Sequence, residues 1–74
     1  MKTDTVYLQH IHEATERIAL YLGDTQREEF YSDLMLQDAV VRQLQIIGEA
    51  TRSLSDEFKG NHPEIPWIQI IGMR

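Results

Sequence analysis

Seventy-four residues, 42% apolar and 26% charged, with a net charge of −5 and no cysteine, describe one small globular domain. They exclude disulfide staples and thiolate metal sites, and the acidity argues against a broad phosphate-binding surface while leaving room for a local cationic cleft. No run approaches the ~20 apolar residues that span a bilayer, and MKTDTVYLQHIHEATE lacks a signal-peptide core, so a soluble, cytoplasmic protein is expected.

The pattern is helical throughout, with no convincing period-2 stretch. Thr3 or Asp4 is placed to cap a first helix running to about Leu22, with Gly23 at its stop. At ~100° per residue, Leu8, Ile11, Thr15, Ile18 and Leu22 form a seam, with Tyr7, Ala14 and Tyr21 beside it. That arc covers roughly 160°, so the helix has one wet side. Thr25 and Glu28 have capping-box spacing and predict a short second helix to about Tyr31.

A third helix is predicted from Leu34–Leu36 to about Leu54, with Ser32 or Asp33 as its cap. Its apolar positions are Ala39, Val40, Val41, Leu44, Ile46, Ile47, Ala50 and Leu54, an arc of roughly 220°. One neighbouring helix cannot cover so wide an arc. The third helix is therefore expected at the centre of the bundle and also against a second subunit. A core of this size supplies only roughly 3–5 kcal/mol, which points the same way. Gly48 sits at the edge of the arc, where it allows close backbone approach. Gln43 lies inside the arc, either as a satisfied core amide or as a polar group aimed at an internal cleft. Ser55 is placed to cap a single turn ended by Gly60-Asn61, and Pro66 to open a last turn carrying Trp67 to Ile71.

Little in the residues speaks for chemistry. His10 and His12 point about 200° apart on a helix and cannot share a metal. His12 and Glu16 make at most half a site, and His62 reads as a solvated loop residue. There is no glycine-rich phosphate loop, and neither a Ser-His-Asp nor a Cys-His constellation can be assembled. The aromatics fall at helical spacing and read as core, with Trp67 as the plug where the last turn docks.

The stretch LQDAVVRQLQIIGEATRSLSDEF followed by HPEIPWIQIIGMR resembles the HepT-like family of HEPN-domain proteins, the toxins of HEPN/minimal-nucleotidyltransferase toxin–antitoxin pairs. The resemblance covers nearly the whole chain. It implies an all-α, HEPN-like antiparallel bundle spanning residues 1–74 as a single domain. It also implies a homodimer or higher oligomer, and a metal-independent endoribonuclease that needs no cofactor and acts on RNA at the dimer cleft. A nucleotidyltransferase antitoxin would silence it by adenylylating the motif tyrosine. The family motif is an Arg, commonly followed by Asn, then four to six intervening residues and a His, with a Tyr two places after the His. Arg74 matches the motif arginine and is the one catalytic residue that carries over. The other motif positions would follow it, so the resemblance implies a C-terminally truncated domain whose motif-bearing helix is missing or incomplete. The alternative it leaves is a catalytically inactive dimerisation and antitoxin-binding module. A third reading, a small-ligand binder in the dimer cleft, would use Arg42 and Gln43.

Overall fold

The computed structural model describes residues 2–72, with side chains from Asp4 onward. Its elements are α1 (Lys2–Leu22), α2 (Arg27–Ser32), α3 (Leu34–Ser53), α4 (Asp56–Gly60) and α5 (Trp67–Ile71), with no strand among the described residues. The all-α expectation is met. α1 and α3 run antiparallel, and α3 packs against α1, α2 and α5, which makes it the centre of the bundle. The radius of gyration, 13.9 Å, exceeds the roughly 11 Å of a compact chain this long. The body measures 41 × 21 × 17 Å, the shape of a helical hairpin with short elements along it.

α1 contains neither Gly nor Pro and ends where Gly23 takes φ +45°, with its N–H donating to the Ala19 carbonyl at 3.0 Å. Glycine is suited to that left-handed position because it lacks the Cβ that makes the conformation costly. In the seam, Ala14 is the buried centre, Ile11, Ile18 and Leu22 are half-buried, and Leu8, Thr15 and Tyr21 remain exposed. The contact stripe is narrower than the sequence arc because a single helix faces it across the seam.

Asp4 does not cap α1. Thr3 and Asp4 both lie within the helix, and the Asp4 carboxylate reaches across the sequence to accept from the Ser55 N–H at 2.8 Å and the Ser55 hydroxyl at 2.7 Å. Ser55 in turn accepts from the Phe58 N–H at 3.0 Å, as expected of the α4 cap. One buried carboxylate thus ties the start of α1 to the junction of α3 and α4. The Ser55 N–H, and secondarily the Ser55 hydroxyl, stabilise the ionised form and hold the Asp4 pKa below its ordinary 3.8, outweighing the opposing effect of burial. A depressed carboxylate pKa contributes stability that is present above the unfolded value and is lost as pH falls through the folded value. Urea midpoints should therefore separate native protein from Asp4→Asn above pH 4 and converge below it. A gap that stays constant down to pH 2 would contradict this linkage.

The Thr25–Glu28 capping box is not formed. The Thr25 N–H closes the preceding turn on the Leu22 carbonyl at 2.7 Å, so Gln26 becomes the N-cap, without a side-chain bond. Ser32 ends α2 and donates back to the Glu28 and Glu29 carbonyls, which leaves Asp33 to cap α3 by accepting from the Leu36 N–H at 3.0 Å. Gln37 then donates to the Phe30 and Tyr31 carbonyls, clamping the end of α2 onto α3.

Along α3, Val40, Gln43, Gly48, Ala50 and Thr51 are buried, whereas Val41, placed in the apolar arc, is about half exposed. Thr51 is the largest side chain that is fully buried, its hydroxyl donating to the Ile47 carbonyl at 2.7 Å. Pro66 stands as the N-cap of α5 rather than as its first residue, and its carbonyl accepts from the Ile70 N–H. Trp67 is half-buried against α4. Its Nε1 donates to the carbonyls of Lys59 and His62, both at 3.0 Å, and its ring meets Phe58 edge-on at 6.1 Å. The indole thus adds a side-chain donor to two carbonyls, Lys59 near the end of α4 and His62 in the turn after it, that also accept from the His62 and Ile65 N–H groups.

Candidate functional site

Two hollows have Glu49 in their lining. The first lies between α1 and α3, encloses about 190 Å³ and is lined by Tyr7, His10, Ile46, Glu49, Ala50 and Ser53. Helical periodicity builds it. Tyr7 and His10 are three apart on α1, and the four α3 residues recur at three-four spacing, so each set shares a face. The antiparallel register fixed by Asp4 and Ser55 brings the two sets together. Tyr7 and His10 stand perpendicular, with ring centroids 6.1 Å apart. The second hollow is broader, about 510 Å³, and is lined by Glu49, Ile68, Ile71 and Gly72 where α5 meets α3.

Among the described residues, Glu49 enters no ion pair, and neither its carboxylate, the Tyr7 hydroxyl nor the His10 imidazole has a hydrogen-bond partner. The Ser53 hydroxyl donates to the Glu49 backbone carbonyl at 3.1 Å and keeps its acceptor lone pairs. The arrangement offers a free carboxylate, an imidazole and a phenol around an apolar floor.

Arg74, the one carried-over catalytic residue, lies outside the described residues. It follows Gly72, the C-cap of α5, by two positions in the sequence. Arg42 is exposed on α3. Gln43 is buried with no partner for its Oε1, which is not the satisfied core amide considered from sequence; nor does it line either hollow. His12 pairs with Glu16 at 3.1 Å on an exposed face, away from His10. His62 is not simply solvated: it is half-buried, its ring packs on Phe58 at 4.7 Å, and it sits 3.5 Å from Glu64. No group of three or more His, Asp or Glu among the described residues is placed to hold a metal ion, and no helix is long and apolar enough to cross a membrane.

The side chains that sequence reasoning did not bring together are Tyr7, His10 and Glu49, which line one hollow. Their shared faces were legible, but their juxtaposition depends on the register of two helices.

A family model described as ribonuclease HepT-like matches residues 11–74. The chain is 44% identical over 68 residues to "Probable ribonuclease HepT" of Thermococcus cleftensis, covering 92% of this chain and 62% of that protein. It is 42% identical over 74 residues to "Putative RNase TTE0752" of Caldanaerobacter subterraneus subsp. tengcongensis, covering 100% and 66% respectively. A further 42% identity over 69 residues links it to "Gamma-glutamylcyclotransferase and putative RNase MJ0434" of Methanocaldococcus jannaschii, covering 93% of this chain and 31% of that protein. The chain thus spans about a third to two thirds of the length of these curated relatives. No solved structure matches it.

Proposed function

This chain belongs to the ribonuclease HepT-like family, and from that premise we propose that it acts in a metal-independent endoribonuclease, the toxin of a toxin–antitoxin pair. The observation that carries the reading is the family match over residues 11–74, which runs through α3 and α5 to the arginine at position 74. The chemistry is attack by a ribose 2′-oxygen on the adjacent phosphorus. The 2′-hydroxyl loses its proton, the bond from phosphorus to the 5′-oxygen breaks, and that oxygen takes up a proton. The products are a 2′,3′-cyclic phosphate and a 5′-hydroxyl end. Arg74 would hold the non-bridging oxygens as charge builds on them; the proton transfer belongs to the family motif's histidine, a position that would follow Arg74 and is not among these 74 residues.

The working unit is a homodimer with RNA in its cleft. Tyr31, Leu34, Met35 and Val41 support this assembly, because together they expose apolar surface from the α2–α3 junction along α3. A cleft of this kind needs only a few cations, which suits a chain of net charge −5. A nucleotidyltransferase partner would silence the enzyme, and the setting is the cytoplasm.

The test is cleavage of end-labelled single-stranded RNA by the 74-residue chain with EDTA present. Any cleavage it shows should fall by about 100-fold in Arg74→Ala, the usual effect of removing one donor to a developing oxyanion. Cleavage that survives this substitution removes Arg74 from the mechanism. A chain that dimerises without cutting RNA supports instead the inactive dimerisation module.

A further inference from the structure

The hollow between α1 and α3 holds polar groups that the fold leaves unpaired. At about 190 Å³ it is smaller than the ~300–1,000 Å³ of a pocket for a drug-sized ligand, so it admits one small planar group. Ile46 and Ala50 supply apolar surface, and the perpendicular rings of Tyr7 and His10 form a corner. A flat ring entering such a corner lies face-on to one wall and edge-on to the other, both favoured aromatic geometries.

Glu49 decides which flat ring. An ionised carboxylate is acceptor-only and can take two parallel N–H bonds. Of the four RNA bases, guanine alone presents two adjacent donors, N1–H and the exocyclic amine, on its Watson–Crick edge. A phosphate is the wrong occupant, since the carboxylate repels it and the hollow contributes no Arg or Lys. A metal is equally wrong, because no third ligand joins His10 and Glu49. The neighbouring hollow at the end of α5 also has Glu49 in its lining.

We propose that the α1–α3 hollow is a subsite for one unpaired guanine base of the RNA, with Glu49 accepting from its N1–H and amine and with Tyr7 and His10 as the walls. The proposal rests on RNA being the substrate. Sequence-specific recognition of RNA favours splayed single-stranded bases held in this manner, by stacking and by hydrogen bonds to one edge. An arginine side chain carries the same pair of donors, but it brings no ring to match the aromatic corner.

The 74-residue chain, labelled with ¹⁵N, is titrated with GMP, AMP, CMP, UMP and arginine amide while its amide resonances are followed. GMP should move Tyr7, His10, Glu49 and Ala50 and bind at least about 10-fold more tightly than AMP, within the range of one bidentate base contact. Glu49→Gln should weaken GMP binding by about 10-fold and leave AMP unchanged, and His10→Ala should weaken every base. Both residues are exposed, so the variants keep the fold. Equal affinity for the four nucleotides, GMP shifts elsewhere on the surface, or tighter binding of arginine amide would overturn the proposal. Cleavage assayed in parallel separates it from the reading it rests on. GMP binding in the hollow without RNA cleavage keeps the subsite and removes the ribonuclease reading. Cleavage with no GMP binding does the reverse.

Discussion

Gln43→Met should raise the stability of this chain by about 1–2 kcal/mol, because the native amide is buried and its Oε1 has no partner. An unsatisfied buried polar group costs ≈1–3 kcal/mol, and methionine removes that cost while keeping an unbranched side chain of similar length and helix propensity. Gln43 lies on the buried face of α3, so a near-isosteric change suits it better than a branched one. For a domain of this size the thermal midpoint should rise by about 5–10 °C. Gln43→Ala, which opens a void as it removes the amide, should gain less or lose stability. If methionine lowers the midpoint instead, the amide has a partner in the native assembly, either an ordered water or a group from a second copy. The ligand-binding reading of Gln43 makes a different claim: binding would be lost while stability rises.

Trp67→Ala should have the opposite sign and a larger effect, a loss of about 2–3 kcal/mol. Replacing a fully buried tryptophan by alanine costs 3–5 kcal/mol; Trp67 is only half-buried, which places it lower in that scale. The substitution removes the edge-on contact with Phe58 and the one donor shared by the Lys59 and His62 carbonyls. The far-ultraviolet melting midpoint should fall by 10 °C or more. Trp67→Phe keeps a ring but not the N–H, and should cost about 1 kcal/mol. If the damage is confined to α5, the melt will change little and exchange of the Ile70 and Gly72 amides will accelerate. An unchanged melt together with unchanged protection of Ile70 would show that Trp67 is not what holds α5.

How far the sequence could be read depended on the range of each interaction. α1 and α3 were legible because an apolar stripe at 3.6-residue period leaves few alternatives over twenty residues. Asp33 and Ser55 were legible as caps because a cap bonds to a backbone N–H three residues on. Asp4 had the same local credentials and was misplaced, since its actual partner is 51 positions away and nothing near it announces that. Thr25 failed for a related reason: the turn begun at Gly23 claims it one residue before the helix starts. Val41 was counted inside the apolar arc because periodicity assigns a face without saying whether anything covers it. The hollow around Glu49 lay beyond sequence reasoning altogether, as it exists only once two helices are aligned. The family resemblance, by contrast, was legible from local motifs, and the match over residues 11–74 agrees with it.

The elongated outline has a consequence for hydrodynamics. A body 41 Å long and 17–21 Å across experiences more drag than a sphere of equal mass, so this chain will elute early from a sizing column even as a single copy. Retention volume alone would overstate its mass, and light scattering or sedimentation equilibrium is the appropriate measure. The frictional ratio then carries information about how copies meet. Side-by-side pairing through Leu34 and Val41 doubles the width without adding length, so the ratio should fall as the mass doubles. End-to-end pairing would drive it upward.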